Sequence, residues 1–195
     1  MSGALSKRQK QKLLSALMAI LALFIGGLIQ TDSLKSDATS IGAVSPGFYK
    51  VIDFSDGDTI RVDMSGKTET IRFIGVDTPE THDPRKAVQC FGLKAAEYTK
   101  NRIGKNAVRL ESDPLNTNRD RYNRLLRYVY LPDGSLINAD IIKDGYGFAY
   151  TSFPFSKMDE FEKLQSNAKD QNLGLWGTCE PTKNEYGGFT SNDAN

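Results

Sequence analysis

The stretch that decides the fold is Phe48-Tyr49-Lys50-Val51-Ile52-Asp53-Phe54, Ser55-Asp56-Gly57, Asp58-Thr59-Ile60-Arg61-Val62-Asp63-Met64. The first run is aromatic and β-branched. The middle three residues are turn formers. The last run alternates apolar and polar residues with period two. Ser65-Gly66-Lys67 is a second turn, and Thr68 to Val76 reads as a third strand. Three strands linked this closely predict a meander.

Downstream the period changes. Phe91, Leu93, Ala95, Ala96, Tyr98 and Ile103 recur near helical spacing, with Gly104 as a stop signal. Ala107 to Glu111 is a short strand, and Arg124 to Leu131 alternates again, with Tyr128 and Tyr130 expected in the barrel. Leu136 to Asp144 predicts a short helix. Lys157 to Asn172 predicts an amphipathic one, with Met158, Phe161 and Leu164 on its apolar face. The run Gly174-Leu175-Trp176 is expected to cap the core. The fold class is therefore α+β: about five strands and three helices suit a small β-barrel with helices packed on it. The five-stranded OB-fold is the obvious candidate, although periodicity alone does not select it.

The chain has 195 residues, 39% hydrophobic, 10% aromatic and 25% charged, enough for one ordinary core with tails. Lys7, Arg8, Lys10 and Lys12 precede an almost wholly apolar run from Leu13 to Ile29. Residues 1–30 thus read as a signal peptide or an uncleaved anchor, with residues 13–29 in the membrane if uncleaved and the rest of the chain outside. Residues 31–46 read as a linker, 47–179 as the domain, and 180–195, rich in Gly, Asn and Ser, as a flexible tail. The first thirty residues hold four of the 25 Lys and Arg and none of the 24 Asp and Glu, so the remainder carries 21 against 24, a net −3. That balance argues against a passive nucleic-acid binder, which needs a basic field. Cys90 and Cys179 are the two cysteines. In an exported chain they suit a disulfide, and two buried thiols are the alternative. A zinc site lacks its ligand spacing.

Two acidic clusters stand out, Asp56-Gly57-Asp58-Thr59 at a turn and Asp77-Thr78-Pro79-Glu80 after the strand that bears Arg72. Carboxylate and carbonyl oxygens on separate loops suit a hard cation such as calcium. Either cluster alone reads equally well as turn chemistry. Gly66-Lys67-Thr68 is not the end of a phosphate-binding loop, because Arg61 stands where that motif needs its first glycine. Nor does the 56–63 stretch follow the EF-hand pattern.

Three motifs then occur in order: Asp56-Gly57-Asp58-Thr59-Ile60, Ile71-Arg72-Phe73-Ile74-Gly75-Val76-Asp77-Thr78-Pro79-Glu80-Thr81, and Asp120-Arg121-Tyr122-Asn123-Arg124-Leu125-Leu126. With the Gly174-Leu175-Trp176 segment, they resemble the staphylococcal nuclease (thermonuclease) family over about residues 47–178. The resemblance implies an OB-fold-like barrel and a Ca2+-dependent endonuclease acting on DNA and RNA with little sequence preference, leaving 3′-phosphates. Position by position, it implies that Asp58, Asp77 and the carbonyl of Thr78 bind the metal. Glu80 would act on the attacking water, and Arg72 and Arg124 would grip the phosphate. Asp56 would lie near the metal, and Tyr122 and Tyr150 would line the substrate pocket. The chemistry agrees: a metal and planar arginines offset charge on a phosphoryl group, and a carboxylate takes a proton from water. A non-catalytic nucleic-acid-binding module of the same fold is the alternative. It is disfavoured because the acids and both arginines are all present. His82, the one histidine, is expected in an exposed loop. No feature points to an oligomer, so a monomer is expected, located outside the cell or on the outer face of its membrane.

Overall fold

Asp63 and Gly66 close the second turn of the meander, the Gly66 N–H donating to Oδ1 of Asp63 at 2.6 Å. In the computed structural model, which describes residues 7–8, 47–81, 87–185 and 188–194, this turn joins β2 (Thr59–Met64) to β3 (Lys67–Phe73). β1 (Phe48–Phe54) lies antiparallel to β2, with a bulge between Val51 and Asp53. β5 (Ala107–Glu111) and β6 (Leu125–Tyr130) complete a closed five-stranded barrel in the order β1-β2-β3-β6-β5, and β5 pairs back onto β1. β3 and β6 run parallel, Arg72 opposite Leu126. Closure leaves no free edge along this sheet. The result is the OB-fold-like α+β architecture expected from the sequence.

The period-two pattern is what fills the barrel. Ile60, Val62, Ile71 and Phe73 point inward and are buried, while Arg61 and Asp63 face out. Helices α1 (Gly92–Ile103), α2 (Ile137–Lys143) and α3 (Met158–Asp170) supply Ile103, Ile137, Ile141 and Phe161 to the same core. Each such buried side chain contributes about 1.5–3 kcal/mol. Asn138 of α2 is fully buried and completely used. Its Nδ2 donates to the carbonyls of Ile74 and Arg127, and its Oδ1 accepts from the Val129 N–H. It thereby pins α2 to the end of β3 and to the middle of β6.

The third strand is shorter than its sequence predicts. β3 stops at Phe73, Gly75 turns the chain at a φ of +71°, and β4 (Val76–Asp77) starts a separate two-stranded sheet with β7 (Phe148–Ala149). Phe155 presses on Gly75 so closely that a Cβ there would lie 2.6 Å from its ring. The break matters because it turns Asp77 away from the barrel wall.

The C-terminal residues, expected as a flexible tail, are instead ordered where described. β8 (Thr182–Lys183) pairs with β9 (Phe189–Thr190), and the Phe189 ring packs on Phe148 and on Trp176 of α4 (Leu175–Thr178). Cys90 and Cys179 are joined in a disulfide with Cα atoms 6.0 Å apart. Apolar anchoring and this cross-link outweigh the tail's polar composition. Among the described residues no helix is long and apolar enough to cross a membrane. The 13–29 segment, the whole 31–46 linker and His82 lie outside the described residues.

Candidate active site

The Asp56-Gly57-Asp58 turn is tied by several hydrogen bonds. The Ser55 N–H donates to the Thr59 carbonyl at 3.0 Å, and the Asp58 N–H donates to Oδ1 of Asp56 at 3.1 Å. The Phe73 N–H donates to the Asp58 carbonyl at 2.9 Å. From α1, the buried hydroxyl of Thr99 donates to the Gly57 carbonyl at 2.6 Å. Thr99 carried no sequence signal, because it acts on a residue 42 positions away.

The turn is pressed against the second acidic cluster. A Cβ on Gly57 would lie 2.8 Å from Cγ2 of Thr78, so only glycine permits this approach. The Thr78 N–H donates to Oδ2 of Asp58 at 2.9 Å, and the Thr59 hydroxyl donates to Oδ1 at 3.0 Å. Arg72, coming up β3, lies between the clusters. Its Nη1 is 2.9 Å from Oδ2 of Asp58 and donates to the Val76 carbonyl at 2.6 Å, while its Nη2 is 3.3 Å from Oδ1 of Asp77. Burial pushes the guanidinium pKa down. Asp58, Asp77 and Asp56 outweigh that and raise it, so Arg72 stays charged. Burial, and then the neighbouring Asp58, push the Asp56 carboxyl up to about 7. Asp56, Asp58 and Asp77 together set three carboxylates against one guanidinium here.

Among the described residues no three Asp, Glu, His or Cys side chains converge on one metal position. What converges is two carboxylates, Asp58 and Asp77, on Arg72. An all-oxygen donor set with excess negative charge suits a hard divalent cation whose remaining ligands are carbonyl and water. The residues therefore fit such an ion.

The second arginine comes from the neighbouring strand. Arg124 is two positions before Leu126, the partner of Arg72 in the parallel register. Asn123, at a φ of +66°, turns the chain into β6. Asp120 fixes Arg124 twice, accepting from its N–H at 2.9 Å and from its Nε at 2.7 Å. Burial raises the Asp120 pKa, but the hydrogen bonds from Arg124 outweigh it and the net shift is downward. With Nε occupied, the terminal nitrogens are the guanidinium edge presented for a ligand. Asp120 lies within the third motif, but its pairing with Arg124 shows only in the fold. The exposed ring of Tyr122 lies under the guanidinium groups of Arg121 and Arg124, at 4.8 and 5.3 Å.

Tyr150 also reaches the site. Its N–H donates to the Gly75 carbonyl at 2.9 Å, directly after β7. The ring is partly exposed, 6.1 Å from that of Phe153, an exposed aromatic with no sequence motif to mark it. Glu80 lies three residues beyond Asp77. Its N–H donates to Oε1 of Gln89 at 2.8 Å, and its Oε1 accepts from the Thr81 N–H at 2.9 Å.

Residues 70–178 match the family described as staphylococcal nuclease homologue. The chain belongs to the staphylococcal nuclease family. It is 36% identical over 169 residues to a thermonuclease of Staphylococcus hyicus, covering 85% of this chain and 98% of that one. A thermonuclease of Staphylococcus intermedius is 35% identical over 160 residues, 82% of this chain and 92% of that one. The SPbeta prophage-derived endonuclease YokF of Bacillus subtilis (strain 168) is 38% identical over 133 residues, 67% of this chain but 43% of the longer relative. Family membership makes the chain a nuclease, a phosphodiester hydrolase.

Proposed function

We propose that this nuclease is calcium-dependent, acts outside the cell on DNA and RNA with little sequence preference, and leaves 3′-phosphates. The observation that carries this reading is the buried Arg72 lying between Asp58 and Asp77 beside a third carboxylate, Asp56. Asp58, Asp77 and the carbonyl of Thr78 would hold the calcium ion. Bound there, the ion would supply Lewis-acid stabilisation of charge on a phosphoryl oxygen.

The chain's own residues do the rest. Arg72 and Arg124 hold the equatorial phosphoryl oxygens through planar, fixed donors, which restricts the phosphate to one orientation and offsets the charge added to it. Glu80 orients a water and takes its proton, a contribution of roughly 10²–10⁴-fold. The water oxygen bonds to phosphorus, the P–O5′ bond breaks, the O5′ leaving group takes a proton from solvent, and the phosphate stays on the 3′ side. Tyr122 and Tyr150 offer ring faces to unpaired bases, worth about 1–3 kcal/mol per base and indifferent to base identity. The Cys90–Cys179 disulfide supports an oxidising compartment.

The test is hydrolysis of denatured DNA by the full chain, with calcium and with EGTA, beside Glu80→Gln and Arg124→Ala. Calcium-dependent cutting that falls at least tenfold in both variants is expected. Cutting that persists in EGTA, or is untouched by either substitution, would overturn the proposed mechanism.

A further inference from the structure

The backbone that carries Glu80 is held from nine residues downstream. The Glu80 N–H donates to the side-chain Oε1 of Gln89 at 2.8 Å, and the Gln89 N–H donates back to the Glu80 carbonyl at 2.9 Å. These two bonds close on each other and leave Glu80 little freedom to shift along the chain. The Glu80 carboxylate is in turn tied to that same backbone, through Oε1 and the Thr81 N–H at 2.9 Å.

Gln89 is itself anchored. Its Nε2 donates to Oγ1 of Thr190, 101 residues away, at 3.2 Å. The Glu80 N–H needs an acceptor, which settles which end of the amide is oxygen and leaves the nitrogen for Thr190. Beyond Thr190 the chain runs as a strap along residues 88–90. The Cys90 N–H donates to the Asn192 carbonyl at 2.7 Å, the Ala194 N–H to the Val88 carbonyl at 2.8 Å, and the Ser191 hydroxyl to the Cys90 carbonyl at 3.0 Å. Gln89 and Asp193 form an antiparallel bridge, and the neighbouring Cys90 is bonded to Cys179.

We infer that Gln89 is a positioning residue for Glu80, and that the C-terminal strap, through Thr190, holds Gln89 in place. The inference rests on the role proposed above for Glu80. A glutamine suits the position because it alone joins an amide acceptor for Glu80 to an amide donor for Thr190 at this reach. A hydrophobic side chain would fill the space but leave the Glu80 N–H unpaired and its backbone free to move. Misplacement of a reacting group by about 1 Å costs on the order of 10²-fold in rate. The strap therefore contributes to turnover without touching substrate.

The experiment is a double-mutant cycle on the full chain, read as kcat and KM on denatured DNA with calcium, with thermal unfolding measured on every variant. Gln89→Ala is expected to lower kcat about 10–100-fold, with KM unchanged. Gln89→Glu, which keeps the acceptor, is expected to recover most of that loss. In a Glu80→Gln background, Gln89→Ala should cost almost nothing further, because coupled residues are not additive. A kcat near the parent's, a loss confined to KM, or an equal loss in both backgrounds overturns the inference. Should Gln89→Ala be unfolded at the assay temperature, Thr190→Val decides. Its expected loss of a few-fold in kcat must vanish in the Glu80→Gln background, and no loss at all overturns the strap's role. Glu80→Gln with full activity would fell the role of Glu80 itself, and this inference with it. Loss in Glu80→Gln with no loss in Gln89→Ala fells the inference alone.

Discussion

Nη1 of Arg72 lies 2.9 Å from Oδ2 of Asp58, with 14% of one side chain and 6% of the other exposed. At that depth neither charge can fall back on water. Removing the guanidinium strands Asp58 beside Asp56 and Asp77, and breaking such a pair costs about 3–5 kcal/mol. Arg72→Ala is therefore expected to lose about that much stability in urea unfolding, besides its activity. Millimolar calcium should return part of it, because a divalent cation binding only the folded cluster stabilises that state. An unchanged urea midpoint would sink the argument.

Arg124 works with one edge already committed. Its Nε holds Asp120 at 2.7 Å, so only the terminal nitrogens remain for phosphate. Lysine is a point charge and cannot serve both partners at once. Arg124→Lys is expected to lower kcat nearly as far as Arg124→Ala, about 10²-fold, with little change in unfolding temperature. Initial rates at saturating DNA check this. A lysine variant within threefold of the parent would show that charge alone suffices.

The barrel was legible because the relevant signals are local. Alternation from Asp58 to Met64 fixes which side chains enter the core, and the turn residues between strands fix their order. Three motifs in sequence order single out Asp58, Arg72 and Asp77, which the fold brings together. Contacts between distant residues were not. Thr99 on the Gly57 carbonyl, Asn138 on the Ile74 carbonyl and Gln89 on Glu80 are satisfied polar groups whose partners only the fold supplies. The C-terminal hairpin is hidden for a related reason. A polar, Gly- and Asn-rich segment looks unanchored until Phe189 is seen stacked on Phe148. The β3–β4 break was hidden because Gly75 lies inside an otherwise β-like run.

The disulfide closes a sequence separation of 89 residues, from just before α1 to just after α4. On the chain-entropy model a loop of that length stabilises by about 4–5 kcal/mol. The Cys90→Ser/Cys179→Ser double variant should unfold at lower temperature than the parent under oxidising conditions. It should match the parent treated with reductant. Equal unfolding temperatures with and without the bond would mean that the hairpin and Trp176 contacts already hold this region.

Gly57→Ala would place a Cβ 2.8 Å from Cγ2 and 2.9 Å from Oγ1 of Thr78. Threonine is stiff at χ1, and Gly57 is held from behind by Thr99, so neither side yields easily. The two acidic loops should separate, weakening the Thr78 N–H bond to Asp58. A loss of about 1–3 kcal/mol is expected, together with weaker calcium binding by titration calorimetry. Thr78→Ser removes Cγ2 and should recover part of both losses. No recovery would place the strain elsewhere.

Glu69 gives the pH prediction. Hydrogen bonds from Arg119, then from Lys67, hold its carboxyl down at about 2 against the opposing effect of burial; its ordinary value is 4.5. The folded value lies below the unfolded one, so the stabilisation is fully present above about 4.5 and is lost as pH falls towards 2. Arg119 and Lys67 are 29% and 74% exposed, so solvent screens the pair and its contribution at neutral pH is small. Arg119 Nη1 also donates to the Asn123 carbonyl at 2.7 Å, so this ion pair braces the turn that delivers Arg124. Glu69→Gln cannot titrate. The stability gap between parent and variant, measured by urea unfolding from pH 7 to pH 2, should be constant down to about 4.5 and then close. It should also shrink in high salt. A gap of the same size at pH 7 and pH 2 would show that Glu69 acts through packing or neutral hydrogen bonding and not through its charge.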